Sequence, residues 1–470
     1  MMHADRRRTP ADLMPKITRL FDLSAAKIRS IEQTWRPEDG APVFTVQGRY
    51  QTRGWTEWTQ GFQFGSALLQ FDASGDREFL DLGRSRTLER MSGHLTHMGG
   101  HDHGFNNVST YGNLWRLAVE ERFDASEWEV RLYEMALKVS GAVQAHRWTV
   151  LPDGGFIHSF NGPHSLFVDT IRSLRALALA FILGQTLREE QDAGVNLLVR
   201  LAQHAHATAR YNVYYGNGRD RYDVRGRTAH ESMFNVESGT YRGPSTQQGY
   251  SPFTTWTRGL AWAVLGFAEQ LEFLDIVPDS ALHGCGGREF VEAMLLEAAH
   301  ATCAYYLDAA SAADGIPYWD TGAPGLASLP EWRERPADPF NDREPVDSSA
   351  AVIAAQGLLR LAHFLSRRGE DTSRYEQAGL LILDTLFDET GPYLSIDPLH
   401  QGLLLHSVYH WPNGWDYVPP GASTPRGESS QWGDYHAREA ALYVKRLAEH
   451  APYLTFFAAE ELEPVNEDGS

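Results

Sequence analysis

Apolar residues return along this chain with a helical period rather than the alternation of a strand. In SEWEVRLYEMALKV, Trp128, Leu132, Met135 and Val139 share one face at helical spacing. Ser126 and Glu129 have the S-x-x-E spacing of a capping box. In DSSAAVIAAQGLLRLAHFLSRRG the stripe is Ala354, Leu358, Leu361 and Leu365. Asp347 or Ser348 is placed to cap its start, and Gly369 to end it. The pattern predicts helices near 13–33, 57–73, 76–96, 107–122, 126–146, 169–186, 189–211, 254–275, 288–309, 347–368, 371–388 and 431–448.

The longest intervening stretches, about 212–253, 310–346 and 389–430, are rich in Gly, Pro and Trp. Loops of this length in a compact domain carry function or are disordered, and their aromatic content argues against disorder. A dozen helices of similar length without a clear linker predict one closed all-α architecture. An (α/α)6 barrel, six helices inside and six outside, fits better than two separate bundles. Residues 1–470 are therefore read as one barrel domain, with flexible tails at about 1–10 and 463–470. Loops at one end of such a scaffold are expected to build the site.

Composition narrows the function classes. The chain has 470 residues and a formal net charge of −19, which disfavours nonspecific binding to nucleic acid or an anionic membrane. An anionic small substrate remains possible, because a few local arginines can hold one carboxylate. The two cysteines, Cys285 and Cys303, lie in no CxxC pattern, against a disulfide framework or a cysteine-rich zinc site. The basic N-terminus, MMHADRRRTPADLM, lacks the apolar run of a signal peptide, and no stretch approaches the length of a membrane span. The expectation is a cytoplasmic protein, monomeric or homodimeric, with no nucleic-acid or membrane partner.

Three stretches carry candidate chemistry. In GGHDHGF (99–105), Asp102 lies between His101 and His103 behind two glycines that allow a sharp turn. It reads either as a cap for a helix starting near Asn106 or as a carboxyl aimed by the loop. His94, His97, His101 and His103 together raise a metal reading, although their spacing matches no recognised ligand motif. In HSLFVDTIRSLRAL (164–177), Asp169 opens a helix with Arg172 on the same face. That is either an N-terminal surface ion pair or a carboxyl for proton transfer. In QQGYSPFTTWTRGLAW (247–262), Trp256, Arg258 and Trp262 are crowded into seven positions, and Arg258 and Trp262 share a face. Aromatic platforms beside one Arg suit a sugar bearing a carboxylate.

At these residues the chain resembles the unsaturated glucuronyl hydrolases of glycoside hydrolase family 88. WTQGF (58–62) resembles WTxGF of that family, GHDHGF (100–105) its HDxGF, and FVDTIRSL (167–174) its second aspartate segment. QGYSPFTTWTRGLAW (248–262) resembles QGY…WARGQAW. GIPYWD (315–320), DSSAAVIAAQGLLRL (347–361), GLLLHSVYHWPNG (402–414) and QWGDY (431–435) continue the series in order.

The resemblance implies an (α/α)6 barrel and a hydrolase that uses neither a metal nor a cofactor. The implied substrate is an oligosaccharide left by a polysaccharide lyase, with a 4,5-unsaturated glucuronic acid at its non-reducing end. Carried over by position, Asp169 matches the general acid/base and Asp102 the second essential aspartate. Trp58, His230, Gln248, Trp256, Arg258 and Trp262 match pocket positions, with Arg258 or His230 expected near the uronate carboxylate. His101 is expected to support the pair and contact substrate.

Two departures stand out. Leu260 replaces the glutamine of RGQAW, and Arg172 adds a charge close to the proposed acid. If Arg172 paired with Asp169 it would lower that carboxyl's pKa and oppose acid catalysis; if it faced the pocket it could grip a carboxylate or sulfate. The stretch 415–430 is expected at the site rim. Three alternatives to the leading reading stand: an unsaturated rhamnogalacturonyl hydrolase of the same fold, a metal-dependent enzyme using the histidine cluster, and a non-catalytic glycan-binding barrel.

Overall fold

Twelve long helical segments alternate between an outer and an inner layer in a computed structural model, which describes residues 7–457. The outer helices are α1 (Met14–Thr34), α3 (Arg77–Arg90), α5 (Glu127–His146), α7 (Leu197–Ala207), α9 (Arg288–Tyr305) and α11 (Ser373–Leu386). The inner ones begin with α2 (Gln60–Ser74) and α4 (His103–Asn107, running through the π turn Val108–Gly112 into Asn113–Val119). They continue with α6 (Thr170–Ser173 and Arg175–Ile182), α8 (Thr257–Leu274), α10 (Ser348–Ser366) and α12 (Gln431–Ala448).

Each inner helix packs on the next, and α12 returns to α2 to close the ring. This is an (α/α)6 barrel. The inner helices are buried nearly all round, as their run of apolar and small residues requires. Although α10 is long and apolar enough to cross a membrane by composition, it is buried inside this ring.

Helix starts and ends fall within a few residues of the periodicity, with one clear exception. Residues predicted to open the helix at 189 instead form an antiparallel hairpin, Thr186–Arg188 with Gly194–Asn196. Asn196 then caps α7 by accepting from Leu198 N and Val199 N. The long stretch after α7 supplies Glu231–Phe234 and Tyr241–Ser245 to a three-stranded sheet, with Glu231–Phe234 in the middle and Ser165–Phe167, which precedes α6, as the third strand.

Two expectations need correction. The stripe Trp128, Leu132, Met135 and Val139 is not the buried face of α5: Trp128 is 70% exposed and Met135 54%. The face turned inward is Tyr133, Ala136, Leu137, Ser140, Gly141 and Gln144. Small residues win here because α5 presses close to α6. A Cβ on Gly141 would lie 2.4 Å from that of Ala180. Residues 8–10 do not belong to a flexible tail. Arg8 N donates to Gln377 Oε1 at 2.7 Å and Arg8 Nε to Asp384 Oδ2 at 3.1 Å. The predicted C-terminal tail, 463–470, lies outside the described residues.

Candidate active site

Residues at or just before the starts of four inner helices, α2, α4, α6 and α8, converge on a cavity of about 480 Å³. Trp58 stands just before α2, Asp102 before α4, Asp169 before α6, and Trp256 with Arg258 at the start of α8. Helix N-termini carry partial positive charge, so this end of the barrel favours an anion despite the chain's net negative charge.

Asp102 and Asp169 both occupy N-cap positions, yet neither side chain caps its helix. Asp347, in the matching place on α10, does: its Oδ1 accepts from Ser349 N at 3.1 Å and Ala350 N at 3.3 Å. An unused aspartate cap forgoes about 1 kcal/mol of helix stability. Asp102 and Asp169 instead turn toward each other and toward His101. The helix that Asp102 precedes starts at His103 rather than near Asn106.

His101 bridges the pair. Its Nε2 lies 3.4 Å from Asp169 Oδ2 and 3.8 Å from Asp102 Oδ1. The ring is buried, stacked on Phe160 at 6.2 Å and met edge-on by Phe167 at 5.5 Å. Its carbonyl accepts from Gln144 Nε2 at 2.9 Å and Ser173 Oγ at 2.8 Å. Ser173 Oγ also accepts from Gly104 N at 2.8 Å, which locks α4 onto α6. Only glycine permits that approach, because a Cβ on Gly104 would come within 2.3 Å of Ser173 O. The expected Gly99-Gly100 pair does not turn through a left-handed conformation; neither has a positive φ.

The triad polarises its members. Burial raises the pKa of Asp102, and the charge of Asp169 adds to this while His101 opposes it. Burial pushes Asp169 the same way, but the hydrogen bond and charge of His101 outweigh it and hold Asp169 below the usual carboxylate value. For His101, burial works against the charged ring, yet Asp102 and then Asp169 hold its pKa above the ordinary imidazole value. Two neighbouring carboxyls are thus pushed apart, a pattern suited to acid and base roles.

Among the described residues, His101, Asp102 and Asp169 are also the one set of three ligand-type side chains whose donor atoms converge, all within 4.8 Å. The four clustered histidines do not converge. His103 Nε2 contacts His97 O at 2.9 Å, and His94 Nδ1 contacts Asn106 Nδ2 at 3.2 Å.

Of the other predicted site residues, Trp58, His101, Gln248, Trp256, Arg258 and Trp262 line the cavity. Trp58 stacks on Trp432 at 5.1 Å. Arg258 is sandwiched between Trp256 and Trp432, at 4.7 and 4.8 Å. Its guanidinium donates to Val408 O, to Tyr409 O at 2.8 Å and to Gln248 Oε1 at 2.7 Å. Arg258 therefore holds the wall together with the same donors that a uronate would need. His230 sits behind the wall, packed on Phe167 and Trp256, and its Nδ1 accepts from Gln247 N at 3.0 Å. Burial lowers its pKa to about 4, so it is neutral.

Arg172 is the misplaced residue. It does not face the cavity and does not pair with Asp169. Fully buried in the barrel interior, it forms ion pairs with Glu269 at 2.8 Å and Glu439 at 2.7 Å. Partners on α8 and α12 could not be read from a helical wheel of α6 alone.

Residues that sequence reasoning missed include Phe160, Tyr409, His410 and Trp415. Trp415 is the one residue of the 415–430 segment that lines the cavity. Its ring packs on His410 at 4.4 Å and Tyr409 at 5.7 Å. Asp416 pins this loop by accepting from Tyr409 N at 2.6 Å and His410 N at 2.8 Å.

A helical toroid whose inner N-termini present two polarised carboxyls inside aromatic walls has the layout of a barrel glycoside hydrolase. Comparison with known proteins narrows the class. The chain is 27% identical over 403 residues to the unsaturated glucuronyl hydrolase of Bacillus sp. (strain GL1), covering 83% of this chain and 87% of that protein. It is 26% identical over 442 residues to the unsaturated chondroitin disaccharide hydrolase of Streptococcus pyogenes serotype M1, covering 91% and 90%. The crystal structure of an unsaturated glucuronyl hydrolase specific for heparin superposes with a TM-score of 0.69, at 20% identity, over 94% of this chain and 100% of that one. No family model matches the chain. The curated relatives and structural neighbours to which the chain is similar over most of its length are unsaturated glucuronyl hydrolases and unsaturated chondroitin disaccharide hydrolases.

Proposed function

We propose that this protein removes 4,5-unsaturated glucuronic acid from the non-reducing end of lyase-generated oligosaccharides. The observation that carries the reading is the Asp102–His101–Asp169 triad, set at helix N-termini inside an aromatic cavity. The reaction is hydration of the C4=C5 enol ether. Asp169 delivers a proton to C4, and water adds at C5 with its proton taken up by the carboxyl pair. The resulting hemiketal opens the ring and releases the remaining sugar chain, so one water is consumed per glycosidic bond.

Before substrate enters, Asp169 is ionised against His101. The substrate's own carboxylate raises the proton affinity of nearby carboxyls on entry. That favours transfer of the His101 proton across the 3.4 Å contact to Asp169, which recharges the acid. Burial raises the pKa of Asp102 above the ordinary carboxylate value, so of the two carboxyls it takes up a proton more readily. The chemistry asks for no metal or cofactor. Both cysteines, Cys285 and Cys303, are free thiols. That suits a reducing compartment, and we place the enzyme in the cytoplasm.

The conjugated C=C–carboxylate absorbs in the ultraviolet, so turnover bleaches it. Wild type and Asp169→Asn should be compared on unsaturated disaccharides from chondroitin, heparin, xanthan, gellan and glucuronan. The expected result is bleaching of at least one by wild type, reduced by about a hundredfold or more in the variant. Absence of bleaching across the panel sinks the reaction. Equal rates for the two proteins sink the role of Asp169.

A further inference from the structure

We propose that Arg147 is a positioning residue for the carboxyl pair, tying the loop that carries Asp102 to the loop that carries Phe160. The inference rests on the proposed hydrolase reading, since it concerns the same site.

Arg147 directly follows α5 and is buried. Its Nε donates to His158 O at 3.3 Å, and its Nη2 to His158 O at 3.1 Å and Ser159 O at 2.8 Å. Its Nη1 donates to Met98 O. Every one of these acceptors is a main-chain carbonyl. A buried guanidinium is normally compensated by a carboxylate within hydrogen-bond reach. Here it is used as a rigid fork between two loops, a task that the planar arrangement of its donors suits.

Both loops line the cavity, side by side. Met98 lies four residues before Asp102. Ser159 adjoins Phe160, whose ring stacks on His101. Gln144, one turn earlier on α5, donates to His101 O. The last turn of α5 thus grips the catalytic loop at two points, and Arg147 alone also reaches the second loop.

Arg147 acts through charge as well. The charged and titratable groups facing Asp102 are His101, Asp169, Arg147, His97 and Tyr409, and those facing His101 are Asp102, Asp169, Arg147, His158, His204 and His230. Removing the guanidinium takes away a positive charge that favours the ionised form of Asp102 and disfavours the charged form of His101. Both groups should then titrate at higher pH.

Arg147→Met and Arg147→Lys separate geometry from charge. With wild type measured alongside, Arg147→Met should lose roughly tenfold or more in kcat with a smaller change in KM. Its kcat/KM profile should move to higher pH by about half a unit. Arg147→Lys should keep the wild-type profile yet lose kcat, because a point charge cannot bridge both loops. A Met variant with wild-type kcat and pH profile overturns the proposal, as does a Lys variant with wild-type kcat. The Lys arm decides if the Met variant does not fold. Should wild type itself not bleach any substrate, the functional reading fails. NMR titration of the Asp102 carboxyl in Arg147→Met then remains a test, and an unmoved titration overturns the electrostatic half.

Discussion

Nε2 of His101 lies 3.4 Å from Oδ2 of Asp169, close enough for one proton to serve both groups. This contact gives the two aspartates their different characters. Asp169 is held ionised by it, whereas Asp102, at 3.8 Å and answering mainly to its burial, is pushed toward its neutral form. The site accordingly stores its working proton on an imidazole between two carboxyls.

The pH dependence follows from that storage. His101 has a pKa raised above 6.5. It is protonated below this raised value and loses its proton as pH rises through it, and the source that recharges Asp169 is lost with it. The basic limb of kcat/KM is therefore expected above pH 6.5. Asp102→Asn removes the leading anion that raises His101, so the limb should move down by about one unit. A pH–rate series on both proteins checks this, and a limb that moves up or stays fixed contradicts it.

Gly104→Ala tests the packing that brings the pair together. The new Cβ would meet Ser173 O at 2.3 Å, so α4 must shift away from α6. Overpacking of this kind costs about 1–3 kcal/mol. A displacement near 1 Å between His101 and Asp169 costs on the order of a hundredfold in rate. The expected variant is folded, lower in Tm, and far more damaged in kcat than in KM. Wild-type kcat would show that the close approach is structural only.

Much of this was legible before the fold was known, and the exceptions have physical causes. The inner helices were legible as long apolar runs rather than as stripes, because they are buried nearly all round. Helical periodicity misread α5, where two apolar stripes compete and the one lined by Gly141 and Ala136 packs closer. The motif residues at helix starts, Asp102 and Asp169, were visible as local signals. Arg172 was not, because its partners Glu269 and Glu439 come from helices about 97 and 267 positions later in the chain. Tyr409 and Trp415 escaped for the same reason: a long loop, not a periodic element, returns them to the site.

Arg172→Met should destabilise the barrel rather than impair substrate binding. Arg172 is fully buried with Glu269 and Glu439, in a network that also holds Arg175 and Arg360. Removing one cation leaves buried carboxylate charge uncompensated, at about 3–5 kcal/mol. Burial already raises Glu269 to about 7. Denaturant melts should show the loss, while KM of the fraction that folds stays near wild type. A raised KM with unchanged stability would return Arg172 to the substrate.

Trp415→Ala examines what the 415–430 segment contributes. Trp415 lines the cavity and packs on His410 at 4.4 Å, while Arg53 lies 5.4 Å from its ring. Asp416 fixes the neighbouring backbone through Tyr409 N and His410 N, so the indole is presented on a pinned loop. An exposed face of this ring, presented to the cavity, is suited to stack on a sugar of the substrate. Its loss should weaken binding by about 1 kcal/mol, a factor of about five in KM, with kcat nearly unchanged. Steady-state kinetics on a disaccharide and a longer oligosaccharide measure this, and a fall in kcat with constant KM would place Trp415 in the chemistry instead.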